Sequence, residues 1–257
     1  MSNKQNLKVE EIVRSFKNRL GENLFAIISV GSLTTDYYKE SWSDIDLLIV
    51  LERISLTDKM HLADLKLSLE KKYQQRFGIN IITKQEATIP IMPEITLDGK
   101  TLQGLLEANV HTHRLMYCKN EKASLFVPDK KTVRAYSLSN IAMFLLRNRK
   151  TLTSHFFNAT GFKEFKAAVE KEMRASFIIT KLAIQYKSSY VCTGYKDIIQ
   201  RAKKEFSSFD FDILIINEEI ICHWESVSTK EELETILDKT DNFIESFTKL
   251  IFDQIKN

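Results

Sequence analysis

Apolar residues recur at helical spacing at Val9, Ile12, Val13, Phe16 and Leu20, which predicts a first helix that Gly21 stops. The period then changes. Phe25-Ala-Ile-Ile-Ser-Val30 is a short apolar run of strand type leading into Gly31-Ser32, and Trp42-Ser-Asp-Ile-Asp-Leu-Leu-Ile-Val50 predicts a second strand. A helix is expected over roughly Thr57–Phe77, a third strand at Ile79-Asn-Ile-Ile-Thr83 and a weaker fourth at Arg114-Leu-Met-Tyr-Cys118. Further on the pattern is helical throughout. Phe162, Phe165, Val169, Met173, Ile178, Leu182 and Tyr186 form one stripe, and 133–157 forms a second helical segment. Ser228 with Glu231 reads as a capping box, after which Leu233, Ile236, Leu237, Phe243, Ile244, Phe247, Leu250 and Ile251 trace one face of a long final helix.

Turn-forming residues sharpen this division. Five of the seven glycines and all three prolines precede Asp129, leaving only Gly161 and Gly194 to interrupt helices beyond it. The expected organisation is an α/β (α+β) domain with a mixed sheet over 1–128 and an all-α helical bundle over 129–257.

Composition adds exclusions. At 257 residues, with 44% hydrophobic and 28% charged side chains, the chain is in the range of two globular domains. No apolar stretch is of membrane-spanning length, and the first residues lack the apolar core of a secretory signal, so a cytoplasmic protein is expected. Cys118, Cys192 and Cys222 are scattered and odd in number, consistent with reduced thiols. A net charge of +3 from 37 basic and 34 acidic residues argues against nucleic acid as partner while suiting an anionic ligand such as a nucleotide. Oligomeric state stays open.

The chemistry concentrates at Asp44-Ile45-Asp46. Residues two apart in a strand share a face, so the two carboxylates sit side by side and repel unless a cation lies between them. Mg²⁺ is the hard ion that takes one or two carboxylates together with phosphate oxygens, and it supports in-line displacement at phosphorus. Gly31-Ser32, at a turn after a strand, offers close backbone N–H groups and a hydroxyl to a phosphate, and Ser43, just before the carboxylate pair, is a third candidate to bind the nucleotide.

These residues carry a resemblance. The segment from Val30-Gly-Ser through Ser43-Asp-Ile-Asp-Leu-Leu-Ile-Val50 resembles the signature of the nucleotidyltransferase superfamily that includes DNA polymerase β. It is most similar to the bacterial antibiotic (kanamycin-type) nucleotidyltransferases and the minimal nucleotidyltransferases. The resemblance implies that Gly31 and Ser32 contact phosphate and that Asp44 and Asp46 bind Mg²⁺. It also implies transfer of a nucleoside monophosphate from an NTP to a hydroxyl, with a small molecule such as an aminoglycoside as acceptor and antibiotic resistance as the role. The acceptor is expected between the domains, met by acidic side chains. A protein acceptor of toxin–antitoxin type is the alternative within the class.

Two departures follow. Leu33-Thr34-Thr35 replaces the usual residues after Gly-Ser, and Asn80 stands where many members place a third carboxylate. An amide cannot act as a base, so Glu170 and Glu172 of the helical part become candidate bases, and a catalytically reduced nucleotide-binding or regulatory module is the rival reading. Arg147 to His155 resembles the arginine–histidine motif of helical HEPN-type ribonucleases, against the ordinary reading of a basic helix end. Lys163, Lys166 and Lys171 are further candidates to meet phosphates. His111 and His113 would alternate on a strand without a third metal ligand. Tyr37, Tyr38 and Trp42 are candidates to border a base or substrate, and Asp36 reads as a turn residue.

Overall fold

Ile12, Phe16 and Leu20 recur one helical turn apart and are the buried apolar face of α1 (Asn3–Leu20). Gly21 ends this helix with φ of 53°, a backbone conformation that disfavours any residue carrying a Cβ. The computed structural model describes residues 3–34, 38, 43–93, 97–120, 125–157 and 161–256, with backbone alone at 154–157 and 256. Asp36, Tyr37 and Trp42 lie outside the described residues, as does the His155 side chain.

The chain divides into two compact units, Met1–Thr132 and Val133–Asn257. In the first, β1 (Leu24–Ser29), β2 (Ile45–Leu51), β3 (Phe77–Thr83) and β4 (Leu115–Cys118) form one mixed sheet in the order β3-β2-β1-β4. β1 runs antiparallel to both neighbours, and β2 and β3 run parallel. A parallel pair needs a crossover, supplied here by α2 (Leu56–Tyr73), whose N-terminus Ser55 and Asp58 close with a capping box. Ile45, Leu47, Ile49 and Leu51 join the core that α1 and α2 cover. The alternate residues Asp46 and Leu48 face α4 (Gly99–Val110), which follows the short α3 (Lys84–Thr88).

The second unit contains α5 (Lys130–Phe157, entered from the last residues of the first unit), α6 (Phe162–Ser188), α7 (Tyr195–Glu205), α8 (Asp212–Cys222) and α9 (Lys230–Lys256). α6 packs against α7, α8 and α9. That explains why its burial exceeds a single stripe: Phe177 and Ile179 are buried, while the terminal Phe162 is 43% exposed. Phe206, Phe209, Phe211, Phe243 and Phe247 form an aromatic cluster between α7, α8 and α9. The architecture is thus the expected α/β fold with a mixed sheet, followed by a helical C-terminal part. Among the described residues no helix is long and apolar enough to cross a membrane, and the three cysteines are free.

Local expectations shift in four places. β2 starts at Ile45, so Ser43 and Asp44 precede the ladder. Phe77 leaves α2 for β3 because it pairs with Ile45, and Gln74, at φ 52°, terminates the helix. The last capping box is Thr229 with Glu232, one residue beyond the expected pair, since Thr229 Oγ1 receives the Glu232 amide at 3.2 Å. His111 caps the end of α4 and His113 lies in a single 3₁₀ turn, so neither is on a strand; their rings stack 5.7 Å apart.

Candidate functional site

β1 and β2 run antiparallel with Ser29 opposite Leu47, which brings the end of β1 to the start of β2. The Val30 amide donates to the Asp46 carbonyl at 3.0 Å, so the Gly31-Ser32 turn emerges beside the carboxylate pair. A Cβ built on Gly31 would lie 3.4 Å from Asp46 Cβ and 3.7 Å from Asp46 Oδ2. Four of the residues picked from sequence, Gly31, Ser32, Asp44 and Asp46, therefore belong to one rim of the sheet. Asp44 is exposed and Asp46 half-buried. Asp44 has no polar partner among the described residues.

Asp46 is differently placed. Its Oδ1 accepts from Lys100 Nζ at 2.9 Å, and it leans over Gly78, its register partner on β3. A Cβ at position 78 would fall 2.0 Å from that oxygen, so glycine is what leaves the carboxylate room there. The two oxygens of Asp46 thus have separate surroundings, Oδ2 toward the Gly31 turn and Oδ1 toward the ammonium of Lys100.

Several residues without a sequence signature hold this rim. Arg114, 1% exposed, donates to the Gly31 carbonyl and forms an ion pair at 3.1 Å with the equally buried Glu107 of α4. Gly104 lets α4 approach, since a Cβ there would meet Val30 Cγ2 at 2.9 Å. On the other side of the sheet, Gln75 Nε2 donates to the Ser43 carbonyl at 2.9 Å. Gln75 accepts in turn from the buried Lys8 ammonium at 2.8 Å, which also reaches the Tyr38 hydroxyl and lies over the Tyr73 ring. Gln5 Nε2 donates to the Leu33 carbonyl. Tyr38 is accordingly tied to Lys8 and Gln75.

Asn80 lies on the same face of β3 as Gly78, two residues on. Its Nδ2 donates to Asp98 at 3.3 Å. Asp98 caps α4 by accepting the Lys100 and Thr101 amides and the Thr101 hydroxyl. Among the described residues no group of three or more His, Cys, Asp or Glu side chains is arranged to hold a metal ion.

Glu170 and Glu172 are in α6. Glu170 is paired with Arg174 at 2.7 Å. Glu172 is 2% exposed, its Oε1 lacks a hydrogen-bond partner, and burial with the nearby Asp241 and Glu245 charges pushes its pKa up to about 7. Burial first, then Glu245, also raises the Asp241 carboxyl. Hydrogen bonding from Arg149 holds Glu245 low. Arg149 is therefore engaged by a carboxylate, with its Nε 2.7 Å from Glu245. Lys166 donates to the Val227 carbonyl and covers the Trp224 ring.

Neither a family model nor a curated protein matches the sequence. Among solved structures the chain is similar to a spectinomycin adenyltransferase from Enterococcus faecialis, crystallised with ATP and spectinomycin. The superposition covers 95% of this chain and 100% of that one, at a TM-score of 0.51 and 13% identity. A likeness of that degree establishes the fold.

Proposed function

We propose that this chain is a Mg²⁺-dependent nucleotidyltransferase, moving a nucleoside monophosphate from an NTP to a hydroxyl of a small acceptor such as an aminoglycoside. One observation carries the reading: the Gly31-Ser32 turn and the Asp44/Asp46 carboxylates share one rim, with Asp46 Oδ1 already on a cation. The residues suit Mg²⁺. Asp44 and Asp46 supply the hard oxygens it takes, Gly31 and Gly78 leave the space, and the Lys100 ammonium stands where positive charge is wanted. When bound, the ion would neutralise the triphosphate and polarise the reacting phosphorus. Gly31 would bring main-chain N–H groups close to phosphate and Ser32 would add a hydroxyl; the Arg114 and Gln5 bonds hold that turn, and the Gln75 bond holds the Ser43 carbonyl, before nucleotide arrives. Residues 1–128 would bind the nucleotide, and 129–257 would supply the acceptor- or partner-binding surface. The spectinomycin adenyltransferase supports an antibiotic acceptor through its fold.

Asn80 favours a second reading. With its amide on Asp98 it provides no third carboxylate, as expected of a module that binds nucleotide without turnover. Calorimetry of ATP and GTP with and without Mg²⁺, alongside pyrophosphate release against aminoglycosides including spectinomycin, separates the two. The enzyme reading expects Mg²⁺-dependent binding and release that Asp44→Asn and Asp46→Asn each lower by roughly a hundredfold or more. Tight Mg²⁺-dependent binding without release against the whole panel would select the module. Metal-independent binding untouched by both substitutions would remove the carboxylate site.

A further inference from the structure

We infer that Lys100 is a nucleotide-responsive cation of this site, neutralising Asp46 in the empty protein and moving to the β- and γ-phosphates when the metal-bound triphosphate arrives; this rests on the nucleotidyltransferase reading above. The geometry shows a salt bridge with little structural purpose. Lys100 Nζ is 2.9 Å from Asp46 Oδ1, yet its side chain is 61% exposed and that of Asp46 26%. Exposed pairs of this kind contribute little to stability. The position is nonetheless prepared for it. Gly78 is the one residue type that leaves Oδ1 where Lys100 meets it, and the glycine's hypothetical Cβ is 3.8 Å from Nζ itself.

The start of α4 cannot serve an anion through its backbone, because Asp98 already takes the Lys100 and Thr101 amides. Positive charge at this corner is therefore delivered by the Lys100 side chain. Its long, exposed stem can swing while its Cα stays fixed on a helix that the Glu107–Arg114 pair ties to the Gly31 carbonyl. A divalent ion on Asp46 competes with the ammonium for the same carboxylate. Displaced from Oδ1, the ammonium is one carboxylate away from the turn assigned to phosphate, which Oδ2 faces, and a triphosphate seated there offers it several charged oxygens in place of the one it leaves. No covalent step is involved.

The test is calorimetry on the intact chain and on Lys100→Met, Lys100→Arg and Asp46→Asn, with Mg·ATP, Mg·AMP and Mn²⁺ alone as probes. Lys100→Met is expected to weaken Mg·ATP by roughly ten- to a hundredfold while leaving Mg·AMP within about twofold. The same variant should bind Mn²⁺ alone more tightly, since the competing ammonium is gone, and Lys100→Arg should restore much of the Mg·ATP affinity. Unchanged Mg·ATP and Mn²⁺ affinities in Lys100→Met, with Mg²⁺-dependent binding lost in Asp46→Asn, would overturn the role of Lys100 and leave the nucleotide site standing. If Asp46→Asn also changes nothing, the site reading itself fails and Lys100 with it. An unchanged thermal midpoint in Lys100→Met identifies the loss as one of binding.

Discussion

A missing side chain shapes the Asp46 site as much as the side chains present. Gly78 faces Asp46 across the parallel ladder, and a methyl group there would sit 2.0 Å from Oδ1 and 3.2 Å from Cγ. Gly78→Ala must therefore turn the carboxylate away from Lys100 and from the metal position. Because the displaced atoms end a short, partly exposed side chain, the cost to stability should be small, about 1 kcal/mol. The cost to Mg·ATP affinity should be roughly tenfold, comparable to losing a charge-assisted contact. Paired urea melts and calorimetry check this; equal losses in both, or none in binding, would contradict it. Glycine at 78 carried no signal in the sequence, where it read only as the residue before a strand. Its meaning depends on register, which puts Asp46 opposite Gly78.

At the scale of elements, α4 is the part that sequence patterning missed. Its residues, Gly-Lys-Thr-Leu-Gln-Gly-Leu-Leu-Glu-Ala-Asn-Val, hold an internal glycine and bury Thr101, Gly104 and Glu107 beside leucines, which blurs a helical stripe. Packing decided it, with Asp98 capping one end and Gly104 letting the helix settle on Val30. The helix then delivers Lys100 to Asp46 and Glu107 to Arg114. Arg114→Met should leave Glu107 buried without its cation and cost about 3–5 kcal/mol, the usual penalty for breaking a buried pair. Urea unfolding of the variant measures it. A loss below about 1 kcal/mol would show that the pair does not anchor the turn.

At the scale of the whole molecule, a buried carboxyl in the helical unit gives stability a pH dependence. Glu172, with its pKa pushed up from 4.5 to about 7 by burial and by the Asp241 and Glu245 charges, binds a proton in the folded helical unit that it lacks unfolded between those values. Below about pH 4.5 the folded and unfolded chains are both protonated and the group is neutral in effect. As pH rises toward 7 folding must hold that proton, so stability falls, and above 7 the loss is complete at about 3 kcal/mol. Glu172→Gln should remove the loss, stabilising the protein at pH 8 by about 2–3 kcal/mol and changing little at pH 4.5. Urea midpoints at both values test this; a Gln variant equally destabilised at each would show that the carboxyl is held by structure rather than strained by charge.

Much of the fold is written in the chain's periodicity. Alternation at Ser43 to Leu47 separates the carboxylates from the core, the helical stripes mark α1, α6 and α9, and glycine and proline stop short of the helical half. These are local properties, fixed by the two-residue repeat of a strand and the 3.6-residue repeat of a helix, so a sequence displays them. The Gly31-Ser32 turn and the Asp44/Asp46 pair were legible for the same reason. What surrounds them was not. Lys100 lies 54 positions beyond Asp46, Arg114 lies 83 beyond Gly31, and Lys8 is 67 from Gln75. Only the closing of the sheet and the seating of α4 and α1 on its two faces bring such pairs within bonding distance. A side chain's charge is present in the sequence, but the partner it neutralises is decided by the tertiary fold.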